Sequence, residues 1–104
     1  MKNFLGGDMM KQVKQMRDQL KKAQKELEKE TVTGSANGIV EVVMTGSQKC
    51  TTVILDQEKF GPLSADHQSA LILKATNDAL DKSRKLMADK LGPLSGGLGG
   101  LAGF

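Results

Sequence analysis

Tryptophan and tyrosine are absent, and Phe4, Phe60 and Phe104 are the only aromatic residues among 104. A core built on large aromatic side chains is therefore excluded, as are the stacking platforms that single-strand nucleic-acid binders use. A small domain with so few bulky side chains buries too little surface to be comfortable as a monomer, so a homodimer is expected. The single cysteine, Cys50, rules out an intramolecular disulfide. His67 is the only histidine, so a metal site would have to be assembled from distant carboxylates and Cys50, and none is expected. No apolar run approaches the ~20 residues of a membrane span. The opening "MKNFLGGDMMKQ" lacks the apolar stretch of a secretory signal. These absences point to a soluble protein of a reducing, cytoplasmic compartment.

Charge is present but segregated. The chain carries +3 overall. Between Lys11 and Lys25, six cations (Lys11, Lys14, Arg17, Lys21, Lys22 and Lys25) face one acidic residue, Asp18, so the remainder is slightly negative. This is the footprint expected for a polyanionic partner, although a charged helix face can also be a solvated back. Glycine is segregated too. Gly6 and Gly7 lie near the start and six glycines fall from Gly92 to Gly103. The expected organisation is a flexible segment 1–7, one folded domain over 8–92, and a low-complexity Gly/Leu-rich tail 93–104.

A first helix is expected from about Asp8, a good N-cap, to about Glu30. Met9, Val13, Met16, Leu20, Ala23 and Leu27 recur at spacings of four and three. They form a heptad seam within roughly 80° of arc, with the lysines in about 100° on the opposite side and Arg17 just beyond. The seam is too short to hold as an isolated coiled coil and must pack as core or dimer contact.

The middle, "TVTGSANGIVEVVMTGSQKCTTVILD", reads as three antiparallel strands, about 31–36, 39–45 and 50–56. Asn37-Gly38 supplies the first hairpin, because both residues tolerate positive φ, and "TGSQK" the second, longer turn. Alternation puts Val40, Val42 and Met44 on one face and Ile39, Glu41, Val43 and Thr45 on the other. One helical layer covers only one face, so Ile39, Val43 and Ile54 are candidate dimer-interface residues. A last helix is expected from about Ser64 to Leu91, stopped by Gly92-Pro93. Asp78 with Lys82, and Asp81 with Lys85, are i,i+4 pairs in the favourable order. The fold class is α+β, in the order α-β-β-β-α.

Nothing in the chain assembles into an active site. His67 reads as a surface or capping residue and Cys50 as a small hydrophobe. "GLGGLA" from Gly97 to Ala102 matches a dinucleotide-binding pattern formally but follows no strand and leaves no room for the helix that pattern requires. "GSQK" from Gly46 to Lys49 is too short for a phosphate-binding loop. The carboxylates of "ELEKE" and "NDALDK" sit at helix-surface spacings with no apolar pocket around them. No enzyme activity and no cofactor are expected.

The combination of motifs resembles the YbaB/EbfC family of bacterial nucleoid-associated DNA-binding proteins. The likeness runs through "MKQVKQMRDQL", then Val32 to Gly34, Gly38, Val40, Val42, Gly46, Cys50, Ile54 and Asp56, then Asn77-Asp78-Ala79. It covers roughly residues 8–92. It implies a tweezer-like homodimer whose helices project as arms and bind double-stranded DNA with little sequence preference, in the nucleoid. Carried onto this chain, it points to Lys11, Lys14, Arg17, Lys21, Lys22 and Lys25, and then to Lys82 and Lys85, as DNA contacts. The alternative is a protein-interaction module in which the arms grip another protein's helices and the charge serves solubility.

Overall fold

The computed structural model describes the backbone of residues 2–102 and the side chains of residues 9–92. The expectations for segments 1–7 and 93–104 fall outside the residues described to the side-chain level. The order is α1 (Lys2–Lys29), β1 (Thr31–Ala36), β2 (Val40–Thr45), β3 (Cys50–Leu55), α2 (Gln57–Phe60) and α3 (Ala65–Ala102), the expected α-β-β-β-α with one short helix added.

The strands form one antiparallel sheet in the order β1-β2-β3. Asn37 and Gly38 turn the first hairpin with φ of 54° and 69°, the positive values that the Asn-Gly pair tolerates best. The hairpin closes with the Ile39 N–H donating to the Ala36 carbonyl. That bond puts Ile39 in the turn, so β2 begins one residue later than the alternation alone suggests. Between β2 and β3 the register slips near Val43 and Met44, a bulge that bends the end of the hairpin.

α3 lies across β1 and β2. Ala75, Ala79 and Ser83, one helical turn apart, are fully buried against Ala36, Val40, Val42 and Met44. The small residues bring the helix close, and Gly34 of β1 meets the backbone of Ala75 and Ala79. The Ser83 hydroxyl, completely buried, donates to the Thr45 carbonyl at 2.7 Å, so this polar group enters the core with its bond satisfied. Ile72 and Leu73 of α3 are apolar yet exposed, because the buried stripe of Ala75, Ala79 and Ser83 is narrower than the run of apolar residues. Cys50 is exposed as well, since α3 does not reach over β3.

α2 was not legible as a helix. Its single turn is capped by the Asp56 carboxylate, which accepts the Lys59 N–H. Ser64 caps α3, its hydroxyl accepting the His67 N–H at 3.3 Å. This is the capping environment expected for His67. Two boundary expectations differ from what is seen. α1 is already helical at Lys2, so Asp8 is not its N-cap, a position that needs non-helical backbone. α3 runs past Gly92-Pro93 to Ala102. A proline removes one backbone donor and crowds one carbonyl, which a long helix can absorb without ending.

Candidate nucleic-acid interface

Among the described residues, α1 is buried in its C-terminal half, where it docks on α3. Ala23 and Leu27 are buried, Leu27 to 2% exposure. Met16 and Leu20 are half-buried. Met9 and Val13 stand in solvent, Met9 at 66%. The seam therefore packs at one end and leaves the other as a projecting arm. The Cα radius of gyration is 20.0 Å, against about 13 Å for a compact chain of this length.

Electrostatics set the two ends apart in the same way. Lys90 of α3 reaches across to α1, its Nζ at 2.7 Å from Glu30 Oε1 and 3.0 Å from Glu26 Oε2. The hydrogen bond to Glu30, then that to Glu26, hold the Lys90 ammonium above its ordinary pKa. Glu26 and Glu30 are two of the carboxylates that flank the lysines of α1 in sequence; Asp18 and Glu28 are the others. Because Lys90 engages them, they turn towards α3 and not towards Lys22 or Lys29.

Lys11, Lys14, Arg17, Lys21, Lys22 and Lys25 are all exposed. Among the described residues none of them takes part in an ion pair; the pairs use Lys82, Arg84 and Lys90. Six cations without an ion pair thus share one flank of a rod that stands away from the sheet, with the exposed Asp18 among them. Such a surface neutralises closely spaced anions without desolvating a buried charge.

Lys82 and Lys85 are placed differently from each other. Lys82 Nζ pairs with Asp78 Oδ2 at 3.1 Å and donates to the Thr33 carbonyl at 3.0 Å. Lys85 is exposed, and the partner expected for it, Asp81, lies against Arg84 at 3.8 Å instead. Of the interface candidates on the sheet, Val43 and Ile54 lie on the face away from α3, half-buried and exposed respectively, while Ile39 sits in the hairpin, packed against the core cluster. Among the described residues no three His, Cys, Asp or Glu side chains gather as a metal ion would require.

Residues 1–98 match the model of the YbaB/EbfC DNA-binding family. The chain belongs to this family. It is similar to a nucleoid-associated protein of Corynebacterium jeikeium, 39% identical over 94 residues that cover 89% of this chain and 90% of the relative. One from Saccharopolyspora erythraea is 38% identical, over 92% of this chain and 84% of the relative. One from Syntrophobacter fumaroxidans is 37% identical, over 89% and 86%.

Several residues that carry the YbaB/EbfC likeness have structural work here. Gly34 and Ala79 permit the close approach of α3 to β1. Asp78 of the Asn-Asp-Ala triplet accepts the Ser35 N–H at 3.0 Å. That bond, and then the one from Lys82, hold its carboxyl below the ordinary value of 3.8. Sequence reading paired Asp78 with Lys82 but missed the contacts of both with the β1 backbone, which are 43 and 49 residues away along the chain. It missed the Lys90 bridge for the same reason, since only the packing of α1 on α3 brings those groups together.

Proposed function

We propose that this YbaB/EbfC chain is a non-enzymatic nucleoid-associated protein that binds double-stranded DNA as a homodimer, with low sequence specificity, through the basic flank of α1. The observation that carries the reading is the set of six exposed cations from Lys11 to Lys25, none of which forms an ion pair among the described residues and which outnumber the one carboxylate between them, Asp18. Family membership supplies the polyanion. Lysines placed along phosphates release condensed counterions and give affinity that does not depend on sequence. Arg17 is the one arginine on this flank, which limits bidentate readout of guanine. No aromatic side chain lies between Met9 and Lys29, so neither wedge-type kinking nor base stacking is expected there. Lys85 is free to add a contact; Lys82 contributes less, because its ammonium already serves Asp78 and Thr33.

The test is fluorescence anisotropy with a duplex over a salt series. With roughly six to eight phosphates neutralised per dimer, log K falls against log salt with a slope of about −5 to −7. Absence of salt-sensitive binding overturns the reading. It would favour the alternative, a protein-interaction module, for which the exposed Met9, Met10 and Val13 at the arm's distal end are the supporting observation.

A further inference from the structure

One carboxylate stands inside the basic flank. Asp18 is exposed, and its side chain takes part in no ion pair or hydrogen bond among the described residues. Glu26 and Glu30, by contrast, are drawn to Lys90. A rotation of 100° per residue puts Asp18 within about 10° of the middle of the lysine arc. Lys11 and Lys22 lie about 20° and 40° round the helix on one side of it, and Lys25, Lys14 and Lys21 about 20°, 40° and 60° round on the other. The centre line of the flank is therefore negative at Asp18, and both of its sides are positive.

A flank of this shape can meet a duplex in two ways. Laid along a single strand, its centre line follows the phosphates, and Asp18 meets them at the closest approach, where like charges repel. Laid in the major groove, roughly 12 Å wide against a helix diameter of about 10–12 Å, the rod has one phosphate strand along each side. Lys11 and Lys22 then face one strand, Lys14 and Lys21 face the other, and the centre line faces the base edges. Only the second arrangement parts the carboxylate from the phosphates while keeping cations on both strands. The groove floor offers it one good partner. An ionised carboxylate only accepts hydrogen bonds. Guanine shows the acceptors N7 and O6, thymine shows O4, and adenine sets its N7 acceptor beside the N6 donor. Cytosine shows the N4 donor alone.

We propose that α1 lies in the major groove with Asp18 towards the base edges, accepting from cytosine N4, and that this residue gives the arm a modest preference for G·C over A·T pairs. This rests on the duplex-binding reading above and adds one sequence-reading contact to it. The lysines on both sides still supply the affinity, through phosphates and without regard to sequence. Asp18 is the specificity-determining residue between them. Over A·T pairs it meets adenine N7 and thymine O4 around the one donor, so the same carboxylate weakens binding there.

The test is anisotropy on the full chain with three duplexes of equal length: alternating dG-dC, alternating dA-dT, and dG-dC whose cytosines carry an N4-methyl group, which keeps the base pair and covers the outward donor. The unmodified chain should bind plain dG-dC about fivefold more tightly than either of the others. Asp18→Ala should bring plain dG-dC and dA-dT within about twofold of each other, and bind dA-dT about threefold more tightly than the unmodified chain does, because a negative charge has left the flank. Equal affinity of the unmodified chain for all three overturns the groove assignment and leaves duplex binding standing. So does a preference for dG-dC that survives N4-methylation, or an Asp18→Ala variant that tightens every duplex by one factor and keeps the preference. Absence of salt-sensitive binding to any of the three overturns both readings. Circular dichroism checks the fold of the variant; should it be lost, the methylated duplex with the unmodified chain decides.

Discussion

Gly34 of β1 and Ala79 of α3 meet backbone to backbone. A Cβ at Gly34 would run into the Ala79 amide nitrogen and the Ala75 carbonyl, neither of which can swing aside as a side-chain tip would. Gly34→Ala must therefore push the helix off the sheet and open the layer formed by Ala75, Ala79, Val42 and Ala36. The expected cost is about 3 kcal/mol or more, at the top of the range for overpacking. Thermal melts monitored by circular dichroism should show it as a fall of more than about 10 °C. Gly38→Ala is the contrast. Its site is open, with φ of +69° and nothing near a new Cβ, so only the left-handed backbone penalty of about 1–2 kcal/mol applies.

Free cations and engaged cations should separate in binding. Reversing Lys14, Lys21 and Lys25 to glutamate changes three exposed, unpaired positions on one arm. DNA affinity should drop by at least about a hundredfold at 0.1 M salt, with light scattering unchanged. Lys82→Ala removes a cation bound to Asp78 and the Thr33 carbonyl. It should leave DNA affinity within about threefold, because that charge is already screened by its partner, and lower the melting temperature instead. Equal losses from both changes would refute the division between the two groups.

The Lys90 bridge predicts an alkaline limit for the arm. Its pairing with Glu30 and Glu26 raises the Lys90 pKa above the ordinary 10.5. Stability from such a group is fully present below the unfolded value and disappears as pH rises through the folded one. Lys90→Met should therefore melt lower than the unmodified chain at every pH up to about 10, and the gap should close above that. The same change frees Glu26 and Glu30 to pair with lysines of α1, weakening duplex binding by about twofold. Melting curves from neutral to strongly alkaline pH, with anisotropy at neutral pH, measure both effects.

How much of this could be read from the residues depends on how local each cause is. The Asn37-Gly38 turn, the alternation of Val40, Val42 and Met44, and the heptad spacing of α1 are short-range signals, and the fold follows from them. The six basic positions of α1 were equally plain, because a 100° rotation per residue settles which side chains share a flank. That Glu26 and Glu30 are turned away from them was not legible. It depends on Lys90, sixty positions from Glu30 along the chain, arriving to take those two carboxylates. The exposure of Cys50, Ile72 and Leu73 was hidden for a related reason. Pattern reports which residues are apolar, but which of them α3 covers is fixed by its path across β1 and β2.

Asp78 closes the β1 edge, and its removal should be felt in acid as well as in assembly. The Ser35 N–H and then Lys82 hold its carboxyl below 3.8. A depressed pKa contributes stability that is present above the unfolded value and lost as pH falls through the folded one. Asp78→Ala should thus melt lower than the unmodified chain at neutral pH, with the difference shrinking below about pH 4 as Asp78 itself becomes protonated. The variant also leaves the Ser35 N–H unpaired on an outer strand and frees Lys82 from its anchor, so the β1 edge of the sheet is left uncovered. Light scattering at rising concentration should then show species heavier than those formed by the unmodified chain, because an uncovered edge templates further strand addition. Unchanged mass, with the Ser35 amide still protected from exchange, would mean that Asp78 and Lys82 do not guard that edge.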